Sequence, residues 1–416
     1  MNSERVFSGI QPSGEIHIGN YLGAVKRWVE LCDDHDAIYC VVDDHAITVE
    51  YDPSRLPAMT FDASLTTMAC GLDPEKCTIF VQSHVPEHTE LTWLFSTVTP
   101  LGSLFRMTQF KDKARNALQR KLTRKEGGAM KTAIHNLKTL GSEALEGLDE
   151  LKEDLNSLDP DTVDDVAVGE TVARMNDRMG NIMQRLQVGL GVAEASTALF
   201  GYPVLQAADI LLYKASLVPV GEDQEQHLEL CREVAQRFNK KFGEVFPVAR
   251  RIKSEAPRIL GLDGKNKMSK SLGNHIGMLD SAQEISAKLK NAYTDPQRIR
   301  RSDPGRPEIC NVFSIHGFFT EPDVRDELEQ GCRKGTIGCF DCKKILAQSM
   351  DAELAPIRDR ADYLRRHKGL VIDALDAGRK RCADIGSQTM EEVREAMGVG
   401  RSVFAALGKK VEKKQE

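Results

Sequence analysis

Six short runs in the first hundred residues alternate between two periodicities, and that alternation leaves the chain few architectures. Glu4 to Ile10, Ala37 to Asp43 and Cys77 to Gln82 read as strands, while Asn20 to Cys32, Leu56 to Cys70 and Thr89 to Phe95 read as helices. Strands separated by helices pair through crossovers, which predicts an α/β fold with a parallel, doubly wound sheet. The alternation stops near Arg115. It resumes after Gly201 with a helix at Pro203 to Lys214, a strand at Leu217 to Val220 and a helix from Gln224 to Phe238. A sheet interrupted in this way carries an insertion, and 416 residues leave room for that and a further domain.

Inside the interruption, apolar residues fall at Val168, Val172, Met175, Met179, Ile182 and Leu186, the spacing of a heptad seam. Leu145, Leu148, Leu151, Leu155 and Leu158 form a second stripe, and Asp159-Pro160-Asp161 breaks the chain between the two. An antiparallel helical hairpin is expected. After Asp280 the pattern is helical to the end, apart from a Pro/Gly-rich stretch at Asp303 to Pro307. The predicted division is 1–114 and 189–280 for the two halves of the sheet domain, 115–188 for the inserted hairpin and 281–416 for a C-terminal α-helical domain.

Composition serves mainly to exclude. Hydrophobic residues at 41% and charged residues at 28% describe a globular chain. No apolar run approaches the roughly 18 residues of a membrane span, and Met1 to Arg5 has no signal-peptide pattern. The expected location is cytoplasmic, with no membrane partner. Thiols stay reduced there, so the ten cysteines are not a disulfide framework. The net charge of -6 hides an asymmetry: from Ser281 onward there are 25 basic against 22 acidic residues. Lys111 to Lys131 holds eight basic and two acidic residues, and Glu143 to Glu170 holds eleven acidic and one basic. Such blocks permit a polyanionic partner without requiring one.

The chemistry is written in two separated loops. Ser8-Gly9-Ile10-Gln11-Pro12-Ser13-Gly14-Glu15-Ile16-His17-Ile18-Gly19-Asn20 leaves the first strand and opens the first helix. Its glycines allow close backbone approach, and the helix N-terminus presents free N–H groups to a phosphate. Far along the chain, Lys265-Asn266-Lys267-Met268-Ser269-Lys270-Ser271-Leu272-Gly273-Asn274 is a second anion-seeking loop of cationic and hydroxyl residues. Together the pair resembles the HIGH and KMSKS signatures of class I aminoacyl-tRNA synthetases, which clamp ATP from opposite sides. Between them, helical spacing places Tyr202, Gln206, Asp209 and Tyr213 on one stripe of an otherwise apolar helix. A carboxylate there needs a donor. An indole supplies one N–H and no acceptor, so Asp209 suits tryptophan and disfavours phenylalanine.

The resemblance then narrows. Phe7 to Asn20, Val41 to Thr48, Met107 to Lys111, Ala207 to Tyr213, Val218 to Gln224 and the Lys267 loop are similar, in that order, to bacterial tryptophanyl-tRNA synthetases. Tyrosyl-tRNA synthetases are close siblings, but Ala207-Ala208-Asp209 and Gly221-Glu222-Asp223-Gln224 are nearer the tryptophan form. The resemblance implies a Rossmann-type catalytic domain, L-tryptophan, ATP with Mg²⁺ and tRNA(Trp) as reactants, a homodimer and no DNA partner. Carried over by position, Asp209 accepts the indole N–H, Tyr202 and Gln224 hold the amino and carboxylate ends, and Phe7, His45 and Val220 wall the pocket. Gln11, Pro12, Ser13, Gly19, Asn20, Gly221, Glu222, Asp223, Ile259 and Met268 cradle the nucleotide, and Lys267, Ser269, Lys270 and Ser271 close over its phosphates. His17, Asn20, Lys267 and Lys270 are the expected catalytic set.

Cys310, Cys332, Cys339 and Cys342 form C-x21-C-x6-C-x2-C, a four-thiol metal pattern; the other six cysteines read as core thiols. Spacing fits structural Zn²⁺ or an iron-sulfur cluster equally. The resemblance favours a 4Fe-4S cluster, since some tryptophanyl-tRNA synthetases carry one on a pattern with one more residue in the first gap. The expected role is to brace an anticodon-reading surface flanked by Arg298, Arg300, Arg301, Arg333, Lys334, Lys343 and Lys344. The hairpin lies outside the resemblance, either as a contact for the tRNA acceptor end or as a packing or dimer element.

Overall fold

The computed structural model describes residues 4–107, 142, 145–153, 156, 165–189, 196–221, 224–253, 259–400 and 404. By internal contacts the chain forms two compact units, Met1–Thr99 with Pro203–Glu416, and Pro100–Tyr202.

The larger unit is built on a five-stranded parallel sheet of β1 (Arg5–Ile10), β2 (Asp36–Val41), β3 (Thr78–Val81), β4 (Leu217–Val220) and β5 (Arg250–Lys253), in the order β3-β2-β1-β4-β5. β2 lies on one side of β1 and β4 on the other. The order reverses at this point, and the carboxyl ends of β1 and β4 flank the crevice in which α/β sheets bind ligands. β5 escapes sequence reading because Arg250-Arg251-Ile252-Lys253 lacks an apolar alternation; it is an edge strand, and edges tolerate charge. Trp28 stacks on Tyr39 with centroids 4.8 Å apart, and the tyrosine hydroxyl donates to Trp28 O at 2.9 Å, fixing β2 beneath the helix Lys26–Leu31.

The long helices Cys339–Arg366 and Lys368–Met397 belong to this same unit. The second runs against β3 at the opposite edge of the sheet. A Cβ on Gly378 would lie 2.0 Å from Ile79 O, so only glycine lets the helix backbone approach the strand this closely. Arg381 ties the contact by bonding Thr78 Oγ1 and pairing with Asp36 at 2.7 Å, and Arg394 pairs with Glu90 at 2.5 Å.

In the smaller unit, residues 145–153 and Asp165–Gly189 are helical. Arg178 Nη1 donates to Glu150 O at 3.2 Å, which places the two stretches side by side. Only part of the expected heptad seam falls among described side chains: Met175 is half-buried, and Leu155, Leu158 and the side chains of Ile182 and Leu186 lie outside them. Val168, Val172 and Met179 are exposed, as are Leu145 and Leu148, whereas Leu151 and Thr171 are buried. The break at Asp159-Pro160-Asp161 lies outside the described residues. One helix also starts earlier than expected. Thr197–Leu212 contains Pro203 internally instead of opening on it, because Ser196 Oγ accepts the Leu199 N–H at 3.0 Å and acts as the cap.

Candidate active site

The first helical turn after β1 begins at Ile18 and is capped by its own motif. His17 Nδ1 accepts the Asn20 N–H at 3.3 Å, and Asn20 Oδ1 accepts the His17 N–H at 3.1 Å. Since Nδ1 accepts, the neutral ring carries its proton on Nε2. Burial, then His275 with its ring 6.0 Å away, then Lys267, bring His17 down to about 4, so it is a neutral donor at physiological pH. The Asn20 oxygen is occupied by the cap, which leaves its amide N–H₂ for a ligand.

The second loop is tied to this turn through backbone. Ile18 N–H donates to Ile276 O at 3.0 Å and Met278 N–H to Ile16 O at 2.9 Å, so the segment after Gly273 runs beside the turn. Gly14, at φ 136°, lies against the lysine of the other motif: a Cβ there would be 2.7 Å from Lys270 Nζ. Met268 is buried against Gly19, and its N–H bonds Ile259 O at 3.3 Å. Loops about 250 residues apart in sequence thus put cationic, amide and imidazole donors around one crevice mouth.

Asp263, which sequence reading missed, organises that loop. It accepts the Asn266 side chain at 2.9 Å, the N–H groups of Lys265 and Asn266 at 3.0 and 3.1 Å, and Asn274 Nδ2 at 3.0 Å. These bonds, led by the Asn266 amide, hold its carboxyl well below the usual range. Asn274 in turn receives the Ser269 N–H at 2.8 Å.

Asp209 is buried in the helix Thr197–Leu212 and is the hub of a polar cluster. Gln82 Nε2 donates to Oδ1 at 2.6 Å, His88 Nδ1 lies 2.7 Å from Oδ1, and His45 Nε2 lies 2.8 Å from Oδ2. Burial pushes its pKa up, but the bonds and charge of His45 and His88 prevail and hold it at about 2. Gln82 is itself oriented by the Asp44 N–H, which donates to Oε1 at 3.1 Å. His88 Nε2 meets Tyr213 Oη at 2.7 Å, and Tyr213 stacks on Phe7 with centroids 5.4 Å apart. Two donors fill Oδ1, whereas among the described residues Oδ2 has one, leaving a lone pair.

Of the expected pocket residues, Asp209 and His45 are therefore bonded directly and Phe7 is joined to them through Tyr213. Val220 ends β4 with its carbonyl accepting Arg251 Nε at 3.1 Å, and Gln224 N–H bonds Gly221 O at 3.1 Å. Gln11 Nε2 reaches His45 O at 3.3 Å, linking the phosphate turn to the pocket, and the Ser13 N–H turns back onto Gln11 O at 2.8 Å. Pro12 and Ile259 are buried. Tyr202 is buried in its helix two turns before Asp209, and burial raises its phenol. Glu222 and Asp223 lie outside the described residues, as does the Ser271 side chain. Gln82 and His88 were missed: one follows β3 directly and the other opens a helix, and nothing local marks them as partners of a residue more than 100 positions away.

The four motif cysteines sit at helix ends: Cys310 before Asn311–Phe319, Cys332 near the close of Pro322–Lys334, and Cys339 and Cys342 in the first turn of Cys339–Arg366. They are neighbours. Burial, then the charges of the other three, push Cys342 up to about 12, and burial raises Cys310 and Cys332. The backbone at Phe313, Asp295 and Val312 offsets part of the rise at Cys310, and Arg298 Nη1 lies 3.4 Å from Cys332 Sγ. Among the described residues, no three His, Cys, Asp or Glu side chains converge as ligands of a single ion. The flanking bases are not one open surface. Lys343 holds the carbonyls of Lys290 and Ala292 at 2.9 and 2.7 Å, Arg298 turns inward to Arg301 O and Ile337 O, and Arg333 pairs with Glu329 and Glu308. Arg300, Arg301, Lys334 and Lys344 remain exposed.

A parallel sheet whose switch point is bracketed by these two loops is the catalytic frame of a class I aminoacyl-tRNA synthetase. A profile of the family described as tRNA synthetases class I (W and Y) matches residues 2–126 and 161–355. The chain is 42% identical over 399 residues to the tryptophan–tRNA ligase of Deinococcus radiodurans, spanning 95% of this chain and 98% of that one. It is 38% identical over 400 residues to the Aquifex aeolicus tryptophan–tRNA ligase, spanning 95% and 100%. In structure it resembles Campylobacter jejuni tryptophanyl-tRNA synthetase complexed with ADP and tryptophan, with a TM-score of 0.70, 28% identity and coverage of 95% of this chain and 100% of that one. The chain belongs to the tryptophan–tRNA ligase family of class I synthetases. No described helix is long and apolar enough to cross a membrane.

Proposed function

We propose that this ligase selects L-tryptophan at Asp209 and activates it between the His17 turn and the Lys267 loop. The buried carboxylate, ionised at about 2 and keeping a lone pair on Oδ2, is the observation that carries the reading. An indole N–H completes its bonding; a phenylalanine ring leaves that position without a donor. Tyr202 and Gln224 hold the amino and carboxylate ends, and Val220 and His45 line the walls.

In the first step the tryptophan carboxylate attacks the α-phosphate of ATP and pyrophosphate leaves. Gln11, Pro12, Ser13, Gly19, Gly221, Glu222, Asp223, Ile259 and Met268 surround the nucleotide. The neutral Nε2–H of His17, the amide of Asn20, Lys267, Lys270 and the hydroxyls of Ser269 and Ser271 take up charge on the phosphates as it shifts. Mg²⁺, when bound with ATP, neutralises the pyrophosphate oxygens. In the second step a terminal ribose hydroxyl of tRNA(Trp) attacks the acyl carbon of the adenylate and AMP leaves. Neither step needs a covalent enzyme intermediate, so positioning and electrostatics supply the rate.

The four thiols hold a 4Fe-4S cluster that braces the anticodon-reading surface. They neighbour one another at the ends of three helices, and four thiolates in this pattern are the ligand set of such a cluster. The backbone at Cys310 and the guanidinium at Cys332 stabilise the thiolate forms. The working form is a cytoplasmic homodimer.

Pyrophosphate exchange with each of the twenty amino acids tests the central reading. Tryptophan alone should support it; exchange driven by tyrosine would overturn it. Anaerobic purification should yield a brown protein with four irons per chain, whereas a colourless protein holding one zinc would replace the cluster. Deleting residues 120–185 separates the two roles open to the insertion: loss of tRNA charging with activation intact marks a tRNA contact, and retention of both marks an accessory element.

A further inference from the structure

His88 touches neither the phosphate loops nor the lone pair left on Asp209, yet it is fully buried and uses both ring nitrogens. A carboxylate only accepts, so Nδ1 carries the proton shared with Oδ1, and Nε2 faces the Tyr213 hydroxyl. Tyr213 is pinned in turn. Its ring stacks on Phe7 of β1 and packs edge-on against Phe80 of β3 at 5.6 Å, and its carbonyl accepts Arg5 Nη1 at 2.7 Å. His88 also lies parallel to Phe80, 23° from coplanar. The imidazole thus connects Asp209 to side chains from two strands, and Gln82 fixes the same oxygen from the turn after β3.

The consequence concerns rotation. Gln82 and His45 alone would give each oxygen a single bond and let the carboxylate rock about its Cβ–Cγ bond. With Oδ1 held by two donors, the remaining lone pair of Oδ2 has one direction. We propose that His88 is a positioning residue for amino-acid selection, acting through Asp209 to keep Oδ2 aimed at the substrate ring, with Tyr213 setting the imidazole. This rests on the reading that Asp209 accepts the indole N–H.

The experiment compares tryptophan with an isostere in which sulfur or oxygen replaces the indole nitrogen, using pyrophosphate exchange. The wild-type enzyme should favour tryptophan strongly. His88→Phe, which keeps the aromatic shape and removes both bonds, should raise KM for tryptophan at least about tenfold and lower the tryptophan-to-isostere preference by a similar factor, with KM for ATP nearly unchanged. His88→Asn, which retains a donor near the Nδ1 position, should recover much of that preference. Tyr213→Phe should give a smaller loss in the same direction, and it decides the matter if His88→Phe does not fold. Equal losses for both substrates, or an unchanged preference in His88→Phe and Tyr213→Phe, would overturn the role of His88. If the wild-type enzyme itself uses the isostere as well as tryptophan, the Asp209 reading fails instead, whatever the variants do.

Discussion

The amino-acid pocket and the phosphate loops face the same crevice but are held by opposite means. Around Asp209 the bonds are side chain to side chain, buried, and drawn from the turn after β3, the helix Glu87–Ser96, the Asp43–Ala46 turn and the helix Thr197–Leu212. Around Lys267 and Lys270 they are mostly backbone bonds and Asx-type bonds within one loop, with Asp263 and Asn274 as local ties. A buried network that loses one member leaves the others unsatisfied, so it resists displacement. A half-exposed loop closed by local bonds can open and re-form. Discrimination is thus lodged in the stiff half and phosphate handling in the half that can yield.

Breaking the stiff half should have the largest effect. Asp209→Asn places an amide before three donors, and kcat/KM for tryptophan in pyrophosphate exchange should fall by about 10³-fold or more, while KM for ATP stays near its original value. An effect on ATP of the same size would show that the halves are not separable. Lys270→Ala should come next, lowering kcat by about 10²-fold to 10³-fold with KM for tryptophan little changed, because its charge acts on phosphate. Asp263→Asn, which weakens the local ties of the loop, should raise KM for ATP by about tenfold and leave tryptophan binding, measured by tryptophan quenching or calorimetry, intact.

The smallest effect separates the halves by pH. His17 is brought down to about 4, below the ordinary imidazole value of 6.5, so between these values the unfolded chain binds a proton that the folded chain does not. Stability contributed here is present above pH 6.5 and is lost as pH falls toward 4. His316, also brought down to about 4 by burial, acts in the same window. Asp209, held at about 2, loses its contribution only below the ordinary carboxylate pKa. Thermal midpoints should therefore drop between pH 6.5 and 4 before the Asp209 network is touched, and His17→Asn should flatten that slope in part. An unchanged slope in the variant would assign it to His316 and others.

The same contrast explains how much of the site could be read from sequence. The phosphate loops are local: His17, Gly19 and Asn20 make their cap with one another, and the Lys267 loop is contiguous, so their motifs survive as short strings. Asp209 could be singled out as a carboxylate in an apolar helix. Its partners could not, because Gln82 and His88 join it only once β3 and the following helix fold against it. β1 to β4 were legible from periodicity. β5 was not, because its charges suit an edge and mask its strand character, and of the heptad residues Val168, Val172 and Met179 are exposed while Met175 is half-buried.

Gly378 sets a timetable. β3 forms within the first quarter of the chain, but the helix that lies on its outer side arrives nearly 300 residues later. The flank of the sheet at β3 therefore stays bare on the ribosome until residues 368–397 have emerged. Chains truncated before Lys368 should be ready partners for chaperones and for one another, although every residue of the catalytic crevice is already present in them.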